Sequence, residues 1–369
     1  MPFQDFLGNE ATVRHLREAL AASRLPHSLI LAGPRGAGKY TLAIMLAQAA
    51  NCLTPPANPD GLPDFCGVCS NCVRIGESRD LDARFAEAVV TREDMRDADK
   101  RDTRILIQTH PDVLVIPPDP PQMLIKIGQV RVLTREIYRV PAEARRAFSI
   151  FTCASFMKEA ANSLLKVLEE PPAHATIVLL AENPGELLPT IRSRAGIFRL
   201  GAIPTGQIEQ LLAERRPQTK PAERALIARL SEGAIGRALG FDLDAWLASR
   251  ADAMVLLRNS IGQADNSDLF KITETYRAGA EGQEKTEALL RTAASLLEDL
   301  LLLKSDTPDL VRNIDLRREL AAMASAVSFT WIESAARGLR QVESGMRRNL
   351  LRSLSLDSFA AQLSQTAEI

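Results

Sequence analysis

Along the first 200 positions the apolar residues keep two rhythms in turn. Short runs that are almost wholly apolar, Leu29–Ala32, Asp112–Ile116 (DVLVI), Ala147–Phe151 (AFSIF) and Thr176–Leu180 (TIVLL), read as strands buried on both faces. Between them the apolar positions recur at helical spacing: Val13, Leu16 and Leu20 within Asn9–Ser23, and Ala43, Leu46, Ala47 and Ala50 within Leu42–Asn51. Further helices are predicted over Ile127–Tyr138 and over Lys158–Leu168, the latter stopped by Pro171 and Pro172. Strand and helix in alternation predict an α/β domain whose parallel sheet is covered on both faces.

Beyond Gly201 the strand rhythm stops. Thr205–Glu214 and Pro221–Leu230 read as short helices, Gly233-Ala-Ile-Gly236-Arg237 as a turn, and the chain from Asp242 onward as helices, including Glu287–Leu303 and Ser328–Val342. The leucine run Leu300–Leu303 is read as helical core, with an interface as the alternative; either use buries it. Three parts are therefore expected: a sheet domain over 1–202, a small helical domain over 203–247, and a longer helical one over 248–369.

Composition narrows the class. A chain of 369 residues, 46% apolar and 25% charged, is long enough for two or three domains with their own cores. A net charge of −1 and a pI near 6.5 argue against bulk electrostatic binding of nucleic acid. The first ten residues, MPFQDFLGNE, have neither the basic lead nor the apolar centre of a signal peptide, and no stretch reaches the ~20 apolar residues of a membrane span. A cytoplasmic protein without membrane contact is expected.

The sharpest chemical signal is LILAGPRGAGKYT, Leu29–Thr41, which runs from a strand through a glycine-rich turn into a helix. This is the order a phosphate-binding P-loop needs. Gly33, Pro34, Arg35, Gly36, Ala37 and Gly38 would turn backbone amides toward a polyphosphate, and Lys39 would add its charge at the helix N-terminus. The next position calls for a small hydroxyl to ligate Mg²⁺ and holds Tyr40, whose phenol lies too far from the backbone. Thr41 is turned a further ~100° round the helix and points away. ATP with Mg²⁺ is therefore not assigned to the loop.

A second signal follows directly. Four of the five cysteines lie between positions 52 and 72: Cys52, Cys66, Cys69 and Cys72, the last three in the tight run CGVCSNC. Such a cluster suits a tetrahedral Zn²⁺, and four thiolates leave no open position, so the metal is expected to be structural. A disulfide framework is the competing reading, which a reducing compartment disfavours. Cys153 stands apart as a core thiol, and His27, just before a strand, is read as structural or as a neighbour of a nucleotide base. Glu77–Arg104, with TREDMRDADKRDTR at its peak, is read as a solvated helix or mobile surface loop.

Taken in order, the P-loop, the four-cysteine module after its helix, His110-Pro111-Asp112, NSLLKVLEEPP (Asn162–Pro172) and LLPTIRSR (Leu187–Arg194) resemble the bacterial clamp-loader AAA+ subunits of DNA polymerase III. Gly233–Leu239 resembles the small second domain of that family, and Asn313-Ile-Asp315 and Asn349-Leu-Leu351 resemble its collar. The resemblance implies an AAA+ domain over 1–202 with a zinc module at about 52–72, a small helical lid over 203–247, and a helical collar for oligomerisation over 248–369.

Two kinds within the family bear zinc, the gamma/tau motor and the delta-prime subunit. Motors place two carboxylates at the end of the strand before the NSLLK helix, one for Mg²⁺ and one for water; here those positions hold Phe151 and Thr152. The sensor after Thr176–Leu180 falls near Glu182 and Asn183, and Gly236 stands where the second sensor's arginine would, with Arg237 beside it. The resemblance so filtered implies a delta-prime subunit: largely ATPase-silent, without polymerase activity of its own, and part of the DNA polymerase III holoenzyme. Its partners would be gamma/tau and delta subunits in a hetero-oligomer, with the sliding clamp and primed DNA reached through the complex. Ser193-Arg194 resembles the family's trans-acting arginine finger. Ala195 departs from the usual Ser-Arg-Cys, and 77–104 looks like an insertion. The alternative is an active gamma/tau-like ATPase; a zinc-bearing nucleic-acid binder is disfavoured by the charge and by 5% aromatics.

Overall fold

The computed structural model describes residues 2–96, 104–262, 266–276, 279–346 and 351–367. It divides into two compact units, Met1–Pro204 with Gly233–Arg237, and Thr205–Glu232 with Ala238–Ile369. The expected division at 247/248 falls inside a continuous helix, Leu243–Ser260.

The first unit is built on a six-stranded sheet in the order β2-β3-β4-β5-β1-β6. β1 (Ser28–Ala32) lies between β5 (Ala175–Ala181) and β6 (Gly196–Arg199), and β4 (Ala147–Phe151) between β5 and β3 (Val113–Ile116), all in parallel. The sheet departs from the all-parallel expectation at one edge, where β2 (Ile107–His110) runs antiparallel to β3. A tight turn through Pro111 and Asp112 reverses the chain, which a parallel connection could not do in so few residues. Every residue of β1 and β5 is buried, Ser28 and Thr176 among them, in keeping with their otherwise apolar sequences.

Alternate side chains feed two cores. Leu29, Leu31, Val178, Leu180, Phe148 and Ile150 face the layer holding α1 (Glu10–Ala21) and α2 (Lys39–Asn51). Ile30, Ile177, Leu179 and Phe151 face α5 (Ile127–Ile137) and α6 (Lys158–Glu169) on the other side. The four-cysteine segment contributes α3 (Ser70–Gly76), and the charged segment forms α4 (Leu81–Glu93), a solvated helix with no buried residue. Residues 97–103 of the charged segment lie outside the described residues. One inner face was expected of α2, yet every residue from Leu42 to Asn51 is buried. The reason is a second cover: α3 packs on its outer side, so the helix is apolar nearly all round.

The second unit is helical. Thr205–Arg215 packs against Pro221–Leu230, and the core of the remainder gathers Leu257, Leu296, Leu300, Leu320, Trp331 and Leu356 from Leu243–Ser260, Gly279–Lys304, Arg317–Ala326, Phe329–Met346 and Arg352–Ala367. Of the leucine run, Leu300 is fully buried and Leu303 packs on the core, but Leu301 is 42% exposed, because consecutive residues of a helix cannot share one face. Asn313 is fully buried: its amide and side chain both donate to Asp299 Oδ2, at 2.8 and 2.7 Å, while Arg250 donates to Asn313 Oδ1 at 3.1 Å and pairs with Asp315. The Asn-Ile-Asp motif is thus the buried polar tie of this unit. Of the Asn349-Leu-Leu351 motif, residues 349 and 350 lie outside the described residues.

Candidate functional site: a glycine loop beside a four-cysteine cluster

The glycine loop leaves β1 at Ala32, with Gly33 still donating to the Ala181 carbonyl of β5 at 3.1 Å. Gly36 and Gly38, at φ of +82° and +86°, take the left-handed conformation that winds the chain into α2. The Lys39 ammonium is folded back on its own loop, donating to the carbonyls of Gly33 at 2.6 Å and Pro34 at 2.9 Å. Burial lowers its pKa, Glu182 and Glu186 work against that, and Arg35 adds to it. Arg35 and Thr41 are exposed and Ala37 is buried.

Tyr40 has a definite partner. Its hydroxyl donates to the carbonyl of Ser78 across 2.5 Å, just beyond the four-cysteine module, and burial pushes its pKa up. On the other side of the loop the Gly236 amide donates to the Gly36 carbonyl at 2.8 Å. A Cβ on Gly36 would sit 2.7 Å from the Arg237 nitrogen, and one on Gly236 3.0 Å from the Gly36 oxygen. The segment read as a turn at Gly233–Arg237 is helical from Ile235, the start of a short helix Ile235–Leu239, and it meets the loop backbone to backbone, too close for a side chain on Gly36 and tight for one on Gly236.

No carboxylate ends β4. Phe151 is fully buried in the core and Thr152 gives its amide to Ile116. Beyond β5, the Asn183 side chain caps its own turn by accepting from Gly185 at 2.8 Å, and Glu186 accepts from the Asn183 amide. Cys153 packs only partly against the core, with burial raising its pKa. His27 serves the sheet through its carbonyl, which accepts from Ile177 at 2.7 Å. Asp112 of the His-Pro-Asp motif accepts three successive amides, Ala142, Glu143 and Ala144, and so fixes the loop into β4.

The sulfur atoms of Cys52, Cys66, Cys69 and Cys72 all lie within 4.8 Å of one another. A tetrahedral Zn²⁺ with ~2.3 Å bonds spaces its sulfurs by ~3.8 Å, so the donor set fits. Amides of Cys66 and Cys69 donate to the sulfurs of Cys52 and Cys66, at 3.2 and 3.3 Å, as they would toward thiolates. The Thr54 hydroxyl, with the amides of Val68 and Cys69, lowers the Cys66 thiol to about 6, whereas burial raises Cys52 and Cys72. The flanks are tied to the sheet domain: Arg17 of α1 forks onto Asp60 and the carbonyls of Leu62 and Pro63, and Gln48 of α2 donates to the Cys72 carbonyl at 2.6 Å. No motif marks Gln48 or Ser78; a glutamine within the apolar run Leu42–Ala50 is the signal the sequence offers.

Arg194 follows the short helix Pro189–Arg192 and is one-third exposed. Its guanidinium donates to Glu169 at 2.7 Å, to the Thr190 carbonyl at 3.0 Å and to the Ser193 hydroxyl at 3.3 Å.

Residues 8–204 match the family described as DNA polymerase III, delta subunit. The chain belongs to this family. Among relatives, it is 30% identical over 302 residues to DNA polymerase III subunit tau of Escherichia coli, a match spanning 79% of this chain and 40% of that protein. It is 29% identical over 217 residues to DNA polymerase III subunit delta' of Bacillus subtilis, spanning 58% of this chain and 54% of that one. A solved DNA polymerase III gamma subunit-related protein from Thermotoga maritima aligns over 96% of this chain and 99% of that chain, with 19% identity and a TM-score of 0.41. The family match and the tau and delta' relatives bear out the resemblance read from the P-loop, the cysteines and the NSLLKVLEEPP helix, and this delta-family chain is related to both gamma/tau and delta' subunits. Among its described residues no helix is long and apolar enough to cross a membrane.

Proposed function

We propose that this chain is a delta-prime-type subunit of the DNA polymerase III clamp loader, a largely ATPase-silent AAA+ subunit that helps load the sliding clamp on DNA. One observation favours it over a gamma/tau-like motor. At the place where phosphoryl transfer needs carboxylates to hold Mg²⁺ and orient water, the chain has a buried Phe151 and a Thr152 whose amide is spent on the sheet. Tyr40, with its hydroxyl committed to Ser78, removes the remaining protein ligand for the cation. The motor reading draws on the tau relative, whose match covers more of this chain than the delta' match does. Overall similarity weighs less here than the reacting positions, since chemistry resides in the site and not the fold.

In this reading the AAA+ domain spans 1–202, a small helical lid 203–247 and a helical collar 248–369. The collar joins gamma/tau and delta subunits in a hetero-oligomer that opens the sliding clamp at primed DNA in the cytoplasm. Cys52, Cys66, Cys69 and Cys72 hold a structural Zn²⁺, which supplies folding energy to a segment with little core of its own. Arg194, with Ser193 beside it, is presented to the γ-phosphate of a neighbouring subunit. The test is Mg²⁺-dependent ATP hydrolysis by the isolated chain, with and without DNA. The expected rate equals that of Lys39→Ala, and a higher one abolished by Lys39→Ala makes the chain a motor.

A further inference from the structure

Tyr40 and the cysteine cluster sit at opposite ends of one helix, and the chain between them closes a loop. α2 begins at Lys39, the lysine of the glycine loop, and ends at Asn51, so that Cys52 is the next residue. From there the chain passes the other three cysteines and α3, then returns at Ser78 to the Tyr40 hydroxyl. Cross-ties run along the helix between these ends: Gln48 to the Cys72 carbonyl at 2.6 Å, Arg79 to Gln48 at 2.7 Å, and Asn71 to the Asn51 carbonyl at 3.0 Å. Ser78 is steadied by its own hydroxyl against Thr109 of β2 at 2.7 Å.

We infer that Tyr40 is a brace linking the metal module to the glycine loop, so that zinc on the four cysteines holds the first turn of α2 where a divalent cation on a Ser or Thr would otherwise do so. The inference rests on the zinc assignment proposed above. The metal fixes Cys52 and Cys72 relative to each other; Cys52 directly follows the last residue of α2 and Cys72 lies within α3, so the pair sets the course of α3 into Ser78. A phenol has the length to span the gap to that carbonyl, which a Thr at position 40 lacks. Once Ser78 is displaced, the Tyr40 hydroxyl is left buried without an acceptor, and the first turn of α2 loosens with it.

The experiment is hydrogen exchange by mass spectrometry on the full chain, zinc-loaded and after chelation, in wild type and Tyr40→Phe. Elemental analysis comes first: a folded wild type without zinc defeats the metal assignment itself. With zinc present, chelation should raise exchange in 39–45 at least about fivefold, alongside 66–79, the factor one hydrogen bond of ordinary net strength supplies. Tyr40→Phe should keep its zinc and the slow exchange of 66–79, yet show the faster exchange of 39–45 from the outset, with little further change on chelation. Opening of 66–79 without any change in 39–45 overturns the brace while leaving the zinc assignment standing. So does a zinc-loaded Tyr40→Phe that exchanges at the wild-type rate throughout.

Discussion

The amide of Gly236 donates to the carbonyl of Gly36 across 2.8 Å, so the turn at 233–237 meets the glycine loop with nothing between the two backbones. Both glycines are required by this approach, but not equally. Gly36 also sits at φ +82°, where an L side chain is strained whatever the space.

Gly36→Ala therefore combines a left-handed backbone with a Cβ 2.7 Å from the Arg237 nitrogen. Its expected cost is about 2–3 kcal/mol, seen as a fall of ~5–10 °C in the thermal midpoint of the sheet unit. Gly236→Ala places its Cβ at 3.0 Å from the Gly36 oxygen within a helical segment, where alanine regains up to ~1 kcal/mol of helix propensity. Calorimetry should rank Gly36→Ala well below Gly236→Ala, and the reverse order would show that the contact does not govern either position.

How far the sequence showed this arrangement depends on the range of the interactions. The β1 run, the glycines and the cysteine spacing are local patterns, and the structure shows a strand, a glycine turn into a helix and four clustered sulfurs where they lie. β2 was missed because IQTH has one buried residue at either end and polar ones between, and β6 because GIFR is short with half its residues exposed. The role of Tyr40 was legible only as a loss. Its acceptor lies 38 positions away, and a backbone carbonyl leaves no mark in sequence. The antiparallel edge and the two-sided burial of α2 likewise follow from which segments come together, and periodicity within one segment does not encode that.

His110 is buried at the β2 edge, its Nδ1 accepting from the Asp112 amide at 3.1 Å, so the neutral ring carries its proton on Nε2. Burial lowers its pKa, the nearby Arg74 lowers it further, and Asp112 partly opposes both. The unfolded chain then binds the proton more readily than the folded one, and stability falls as pH drops below the ordinary value near 6.5. Denaturant titrations between pH 7.5 and 5.5 should show this decline in wild type. His110→Asn, which keeps an acceptor near Nδ1 but cannot titrate, should show a shallower slope; an identical slope would place the proton uptake elsewhere.

Asp299 is fully buried in the helical unit and accepts the Arg312 amide at 2.8 Å and both donors of Asn313. Asp299→Ala strands the backbone amides of Arg312 and Asn313, leaves the Asn313 side-chain amide to Ser295 Oγ at 3.3 Å, and removes support from the Arg250–Asn313 contact. A loss of about 3 kcal/mol or more in the unfolding of this unit is expected. Asp299→Asn keeps one acceptor oxygen and should cost less. Equal, small losses in the two variants would mean that water replaces the carboxylate.

The structure gives Arg194 an intramolecular partner, Glu169, while its proposed role needs a neighbouring subunit. Its pair with Glu169 is 35% and 52% exposed on the two sides, a setting in which an ion pair is worth ~0–1 kcal/mol. So weak a contact can be exchanged for a γ-phosphate at little cost, and a planar guanidinium can meet several phosphate oxygens at once. Two variants separate the roles. If the Glu169 pair were the purpose, Arg194→Ala and Glu169→Ala would have the same effect, a small loss of stability. If Arg194 serves an adjacent site, Arg194→Ala and Arg194→Lys should lower the DNA- and clamp-stimulated ATP hydrolysis of the reconstituted complex at least ~10-fold at the site served, while assembly and zinc content stay at wild-type level. Glu169→Ala should leave hydrolysis unchanged or raise it, since it frees the guanidinium. Parallel losses in Arg194→Ala and Glu169→Ala would return Arg194 to a structural role within its own chain.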